Sequence, residues 1–338
     1  PDERTAVDQF GKDDKYFGVC TLLATLPGLP MFGHGQVEGF TEKYGMEYRR
    51  AYRQEQPDEW LVERHRREIF PLLRRRYLFA EVANFRLYDF FSADGAVNED
   101  VIAFSNRHGD ERGLVVYHNR FATARGWLRT SAAFIDKSAG GLRQDSLGAA
   151  LGVEAHPGKF ALFRDHVTGL EFIRSNLELC HHGMYVELDA YKRHVFLDWR
   201  EVQDDETQRY ARLAAMLNGR GVPSIEEALT ELLLQPVLER FSVLLSPALL
   251  RRLCATHGSA DGAGGAAAPV PDAGALWTEL EPDVVGLLAA LAAHTRGYGD
   301  VNAIAARLRQ DLIVMRTPRI PHPLSPSPQA ERGDSPPL

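Results

Sequence analysis

The stretch YFGVCTLLATLPGLPMFGHGQVEG, Tyr16–Gly39, carries the clearest indication of the fold. Its first part, Phe17–Leu26, reads as a helix, and Pro27–Gly28 forms a turn after it. A short, wholly apolar run, Leu29–Phe32, then precedes a glycine-bounded loop. A helix followed by an apolar strand is typical of a parallel sheet, in which both strand faces are covered. The fifteen residues before Tyr16 are too few to supply neighbouring strands, and the loop lies where (β/α)8 barrels place substrate groups.

The motif G-x-P-x-x-x-x-G-Q, Gly28 through Gln36, resembles the eighth strand of the α-amylase superfamily of glycoside hydrolases and transglycosylases. Pro1–Arg4 is similar to the end of that family's short motif after strand seven, usually Asn-His-Asp. Gly95–Asn119 is similar to the first strands of its C-terminal β-domain. The resemblance covers residues 1–120, and 120–200 more loosely. It implies the last piece of a (β/α)8 barrel, followed by the β-domain, with the N-terminal part of that barrel missing from this chain.

The resemblance also implies a site. Retaining cleavage of a glycosidic bond needs a nucleophilic carboxylate and a carboxylic acid, and the family places these after strands four and five, ahead of Pro1. Asp2 matches the family's third carboxylate, which stabilises the distorted sugar, although Pro1 stands where the family has His. Gln36, Glu38 and His34 are the candidate substrate-binding residues of the loop, and Glu38 is shifted by one position from the family pattern.

Structural roles stay open for each of these residues. Asp2 could instead cap a turn or a helix. Glu38 could order the loop, and His34, which lies between two glycines, could have a structural role. The aromatic series Tyr44, Tyr48 and Tyr52 has helical spacing and is typical of packing as well as of sugar stacking. The adjacent Cys180-His181-His182 lacks the separated second pair that zinc sites use, so no metal is predicted.

Four domains are predicted from the change of pattern along the chain. A helix capped by Asp58 is expected within 1–80, the last strand and helices of a (β/α)8 barrel. From residue 81 the apolar period becomes two, with a hairpin turn at His108-Gly109-Asp110, and 81–202 is expected to be an antiparallel β-sandwich. Residues 203–316 form a predicted helical extension with a flexible linker at 258–271, and the proline-rich 317–338 is expected to be a disordered tail.

Composition narrows the class of protein. A net charge of −7 gives no electrostatic argument for binding nucleic acid or an anionic membrane. No apolar run approaches the ~20 residues needed to span a bilayer, so no membrane-spanning segment is expected. Three cysteines in apolar surroundings are too few for a disulfide framework, which favours a reducing, cytoplasmic location. No phosphate loop, dinucleotide fingerprint or nucleophile elbow is present, so no cofactor is predicted.

The sequence therefore predicts a fragment of an α-amylase-type carbohydrate-active enzyme that binds an α-glucan oligo- or polysaccharide. Hydrolysis and transfer both remain open. The alternative is a non-catalytic carbohydrate-binding or interaction module, whose working surface would be the sandwich and the helices. Affinity for starch or maltooligosaccharides without turnover would favour the module, although a fragment of an enzyme would behave in the same way. The deciding observation is the reading frame upstream of Pro1, which on the enzyme interpretation encodes strands with an Asp and a Glu at the ends of strands four and five.

Overall fold

The chain divides into two units, residues 1–232 and residues 233–338. A large antiparallel sheet dominates the first unit. The structure is a computed structural model that describes residues 4–42, 50–136, 140–254, 273–295 and 299–316. Helices in the first unit are α1 (Ala6–Phe10), α2 (Asp14–Thr25), α3 (Glu59–Glu68), α4 (Phe70–Arg74), α5 (Arg76–Ala80), α6 (Leu147–Leu151), α7 (Asn176–His181) and α8 (Arg209–Leu217). The strands are β1 (Arg86–Ser92), β2 (Val101–His108), β3 (Glu111–His118), β4 (Ala124–Ser131), β5 (Phe134–Asp136), β6 (Gly141–Arg143), β7 (Lys159–Asp165), β8 (Glu171–Ser175), β9 (Met184–Leu188) and β10 (Arg193–Gln203).

Eight of these strands form one sheet in the order β8-β7-β10-β3-β2-β1-β4-β9, and β5 pairs with β6. The ladders between these strands are all antiparallel, and the predicted hairpin at 108–110 joins β2 to β3. The mixed α and β class is thus confirmed. The predicted sandwich is not confirmed, because the described strands form one large sheet and a separate two-stranded ribbon.

The three central strands β2, β3 and β10 are buried on both faces. On β3, Leu114 and Val116 face one core, while Val115 faces the other. Antiparallel strands usually alternate apolar and polar residues, but a layer on each face removes the need for polar positions. The first core lies against α6 and α7, and the second lies against α2, α3, α4 and α5. The second core includes Tyr16, Phe17, Leu61, Ile69 and Phe79.

The N-terminal helices form largely as predicted. Helix α2 ends at Thr25, just before the Pro27–Gly28 turn, and Asp58 caps α3 by accepting a hydrogen bond from Leu61 N at 3.2 Å. The predicted strand Leu29–Phe32 does not form. Leu29 is 92% exposed and Met31 79% exposed, whereas Phe32 packs partly against the second core. A parallel strand needs neighbours, and within the described ranges none lies beside this segment.

The later helices include α9 (Ile225–Leu244), α10 (Pro247–Cys254), α11 (Ala273–Thr295) and α12 (Val301–Arg316). The Ser224 hydroxyl accepts a hydrogen bond from Glu227 N at 3.2 Å, as a capping box predicts. The helical stretch Ile225–Arg251 is long and apolar enough, by length and composition, to cross a membrane. This stretch was not predicted as a membrane span, because charged residues and Pro236 interrupt its apolar sequence. The predicted linker 258–271 and the predicted tail 317–338 lie outside the described residues.

Candidate functional site: the loop after the G-x-P motif

Two glycines set the path of the loop that follows the G-x-P motif. Gly35 has φ +72° and Gly39 has φ +78°, values that side-chain-bearing residues rarely adopt. A Cβ on Gly35 would lie 2.7 Å from Phe40, and a Cβ on Gly39 would lie 2.9 Å from Leu61. The backbone closes on itself where Phe40 N donates to Gly35 O at 2.8 Å. The tight turn therefore depends on both glycines.

Gln36, a predicted substrate-binding residue, turns its side chain back into the loop. Its Oε1 accepts a hydrogen bond from Gly33 N at 3.0 Å, and its Nε2 lies 3.8 Å from Cys20 Sγ on α2. Burial raises the pKa of the Cys20 thiol to about 11, so the sulfur is a neutral thiol at physiological pH. Within this structure Gln36 orders the loop.

A buried tyrosine–histidine pair holds the loop against the helices. The Tyr16 hydroxyl lies 3.0 Å from Gln36 O and 3.0 Å from His65 Nε2. His65 Nδ1 lies 2.9 Å from Leu61 O, a group that can only accept. A neutral His65 therefore carries its proton on Nδ1 and accepts at Nε2. The single hydroxyl hydrogen of Tyr16 is then shared between two acceptors.

The electrostatics favour this neutral pair. Burial lowers the pKa of His65, although the Leu61 carbonyl and the Glu38 and Glu68 carboxylates act in the opposite direction. Burial also raises the pKa of Tyr16 well above its ordinary value. His65 lies on α3 and was not among the predicted site residues. Its position among the buried apolar residues of α3 could have indicated its role, because a buried histidine needs polar partners.

Glu38 and His34 are the loop's remaining candidate side chains. The Glu38 backbone carbonyl accepts a hydrogen bond from Asp58 N at 2.9 Å, while its side chain is partly exposed. His34 is exposed, and its ring centroid lies 6.3 Å from that of Phe40. Asp2, the predicted catalytic residue, lies outside the described residues. The structure thus brings His34, Gln36 and Glu38 together in one turn and leaves the position of Asp2 undescribed.

The chain beyond the loop is tied down by two carboxylates. Glu55 accepts hydrogen bonds from Thr41 N at 3.0 Å and from the Thr41 hydroxyl at 2.6 Å. Glu42 accepts from Tyr52 N at 2.5 Å and Arg53 N at 2.9 Å. These bonds bring residues 41–42 next to 52–55. Of the predicted aromatic series, Tyr52 is 79% exposed, and Tyr44 and Tyr48 lie outside the described residues.

A buried ion cluster supports the helices that carry the loop. Glu68 on α3 pairs with Arg193 on β10, and Arg64 contacts Glu68 at 3.0 Å. Burial alone would raise the pKa of Glu68, but hydrogen bonds from Arg67 and Arg64 and the charge of Arg193 lower it overall. Such clusters join elements far apart in sequence, here α3 and the central strand β10.

The chemistry available in this loop is limited. Glu38 is its single acidic side chain between Gly33 and Phe40. Across the ranges that the structure describes, no group of three or more His, Cys, Asp or Glu side chains could hold a metal ion. The loop can donate and accept hydrogen bonds to a polar ligand. It does not contain the pair of carboxyl groups that retaining glycosidases use.

Sequence comparisons give no relative. No protein family model matches the chain, and no curated protein sequence is significantly similar to it. Comparison of structures does find similarity. An α-amylase from Geobacillus thermoleovorans, complexed with acarbose, is 14% identical over 55% of this chain and 33% of its own, with a TM-score of 0.34.

Two further solved structures belong to the same class of enzyme. The maltogenic α-amylase AmyB from Thermotoga neapolitana is 15% identical over 58% of this chain and 39% of its own, with a TM-score of 0.37. An acarbose-soaked debranching enzyme from Nostoc punctiforme is 12% identical over 56% of this chain and 29% of its own, with a TM-score of 0.31. The chain thus spans about a third of the length of the solved structures that it matches. At these identities and TM-scores the similarity transfers neither an activity nor a site residue to this chain.

Proposed function

We propose that this chain is the C-terminal part of an α-amylase-type enzyme that acts on α-glucans by retaining hydrolysis or transfer. Residues 1–80 would supply the last strand and helices of its (β/α)8 barrel. The observation that carries the proposal is the exposure of the G-x-P motif: Leu29 is 92% exposed and Met31 79% exposed. Leaving one such side chain in water forfeits roughly 1.5–3 kcal/mol. Neighbouring barrel strands would cover both residues.

The loop that would face the substrate is held in place by contacts within this chain. Gly35, Gly39 and the Tyr16–His65 pair hold it in place. Gln36 helps to hold the loop in this conformation. Glu38 and His34 are the other two predicted substrate-binding residues, and their side chains would contact the sugar. Asp2 would stabilise the oxocarbenium-like transition state that other residues generate.

The chain by itself is not expected to cleave a glycosidic bond. A retaining glycosidase holds its nucleophile and its acid about 5–5.5 Å apart on a rigid frame. General acid catalysis alone contributes roughly 10²–10⁴-fold to the rate. The described loop offers one carboxylate, Glu38, and the resemblance assigns the two reacting groups to strands four and five of the barrel.

The test has a genetic and an enzymatic arm. The reading frame upstream of Pro1 should encode an Asp and a Glu at the ends of two predicted strands. The polypeptide that includes them should release reducing ends from soluble starch and maltoheptaose, and Asp2→Asn should remove most of that activity. The 338-residue chain should show no turnover with or without Asp2→Asn. Starch binding without turnover by the longer polypeptide would favour a non-catalytic module instead.

A further inference from the structure

A cavity lies where the two edges of the large sheet approach each other. Strands β8 and β9 stand at opposite ends of the strand order, yet side chains from both line one cavity of about 840 Å³. The sheet is therefore curled, and α8 contributes Ala214 and Ala215 to the wall. The volume falls within the range of small-molecule sites. Its lining residues come from elements other than the loop at 33–40.

The apolar part of this wall includes flat aromatic surfaces. Trp127 on β4 and Tyr185 on β9 are directly paired across the ladder, with ring centroids 5.4 Å apart. Deeper in, Phe163 stacks on Phe172 at 5.7 Å and meets Phe196 edge-on at 5.2 Å. Tyr185 is 39% exposed, so one ring at the mouth can receive a ligand without unfolding the strand.

The polar part of the wall holds its groups in fixed positions. The Tyr185 hydroxyl donates to Glu187 Oε1 at 3.0 Å, and His194 Nδ1 lies 2.9 Å from the buried Asp165 carboxylate. Arg174 donates to Gly219 O at 2.7 Å and to Ile173 O at 2.9 Å. These anchors limit the rotamers of the side chains, which reduces the entropy lost when a ligand binds.

The Arg and Glu side chains that line the cavity carry equal numbers of positive and negative charges. Arg174 and Arg220 carry two positive charges, and Glu178 and Glu187 carry two negative charges. An anion or a cation would meet groups of both signs. A wholly apolar ligand would displace water from these carboxylate and guanidinium groups and offer them no hydrogen bonds in return, which is costly in a confined site. The lining therefore fits a neutral ligand with many hydroxyl groups and flat C–H faces.

We propose that this cavity binds a neutral oligosaccharide, separately from the loop at 33–40. Trp127 and Tyr185 would stack on the C–H faces of the sugar rings, and Glu187 and Arg174 would hydrogen-bond to hydroxyl groups. The choice of an α-glucan as probe rests on the proposed function, but the site is a second one, on the sheet. It would hold the glucan chain without acting on its glycosidic bonds.

Isothermal titration calorimetry of the 338-residue chain with maltoheptaose tests this. Wild type should bind, and Trp127→Ala should bind about tenfold more weakly, since tenfold corresponds to about 1.4 kcal/mol. Tyr185→Ala, at a partly exposed position, should weaken binding without loss of fold as judged by thermal melting. Trp60→Ala is the matched control, because Trp60 is 56% exposed on α3 and does not line the cavity.

Further arms separate this inference from the proposed function. If Glu38→Ala abolishes binding while Trp127→Ala and Tyr185→Ala leave it intact, the sugar occupies the loop and the cavity proposal is overturned. If cellohexaose binds in a Trp127-dependent manner and maltoheptaose does not, the cavity proposal stands and the α-glucan assignment falls. Absence of binding by both saccharides overturns the cavity proposal, whatever the activity of the longer polypeptide.

Discussion

Two apolar tetrapeptides of this chain have opposite environments. Leu114–Tyr117 (LVVY) on β3 is completely buried, whereas Leu29 and Met31 of Leu29–Phe32 (LPMF) are 92% and 79% exposed. Strand β3 pairs with β2 on one side and β10 on the other, and a layer of side chains covers each face. LPMF begins after the Pro27–Gly28 turn and has no such neighbours in the described part of the chain. Whether an apolar segment is buried thus depends on the strands and helices that pack against it. Its apolar composition shows only that burial would be favourable.

The largest expected effect comes from removing the layer on one face of β3. A chain lacking residues 1–80 would expose Phe104, Val115, Val195 and Leu197 of the second core. At roughly 1.5–3 kcal/mol for each side chain, the loss is about 6–12 kcal/mol, comparable with the whole stability of a domain. We expect no cooperative unfolding transition in urea and rapid digestion by trypsin.

The matched control for this deletion is a chain lacking 317–338. That segment carries seven prolines in 22 residues and is predicted to contribute nothing to a core. The melting temperature of the chain without 317–338 should equal that of the full chain. Full protease resistance of the chain without 1–80 would show that the sheet is stable without its helical layer.

A single substitution in LVVY comes next in size. Leu114→Ala removes a side chain with no exposed surface from the first core and should lower the free energy of unfolding by about 3 kcal/mol, within the usual range for buried leucines. Equilibrium urea unfolding measures this. Leu29→Ala is the matched substitution in LPMF and should change the same quantity by less than about 0.5 kcal/mol. Equal losses from the two substitutions would contradict the comparison.

Sequence reasoning found the elements whose signals are local. The Asp58 cap and the hairpin at Gly109 both rest on contacts between residues a few positions apart. Strand β4, Ala124–Ser131, was not predicted, because Gly126 and four polar residues obscure the period of two. Glycine is needed at 126 because a Cβ there would lie 2.2 Å from Phe91 O. That constraint comes from a neighbouring strand and cannot be read locally.

The site was predicted in the same uneven way. The glycines of the loop and the residues between them were recognisable from the G-x-P motif. The role of Gln36 depends on Cys20 and Gly33, and the role of His65 depends on Tyr16, 49 positions away in the chain. Contacts of this separation are set by how α2 packs on α3. Residue types in the loop therefore predict a candidate site, whereas the contacts that these residues make with distant partners cannot be read from the residue types.

Protonation of His65 should make the free energy of unfolding depend on pH. Its pKa is lowered in the folded protein from an ordinary value of 6.5, so the unfolded chain binds the proton more readily. The stability should therefore fall as pH drops through 6.5, before Glu68 and Asp14, whose folded-state pKa values are lowered from 4.5 and 3.8, titrate. The loss between pH 7.5 and 5.5 should be smaller than that caused by Leu114→Ala.

Urea unfolding at these two pH values measures the slope. In His65→Gln the side chain does not titrate, so the fall in stability between pH 7.5 and 5.5 should be smaller than in the wild type. The absolute stability of the variant is not the readout, since the substitution also alters the hydrogen bond to Tyr16. An unchanged slope would show that another group titrates in this interval.

The smallest expected effect on stability comes from replacing the exposed side chains of LPMF. Leu29→Ser combined with Met31→Ser should leave the stability of the 338-residue chain within about 0.5 kcal/mol of the wild type, because both side chains already lie in water. Phe32→Ser should be destabilising, since Phe32 packs against the second core. In a longer polypeptide whose barrel strands cover the motif, the double substitution should instead cost several kcal/mol, as burial of large apolar side chains does. A marked loss in the 338-residue chain would mean that LPMF is covered in solution, and size-exclusion chromatography of wild type and variant would show whether a second copy covers it.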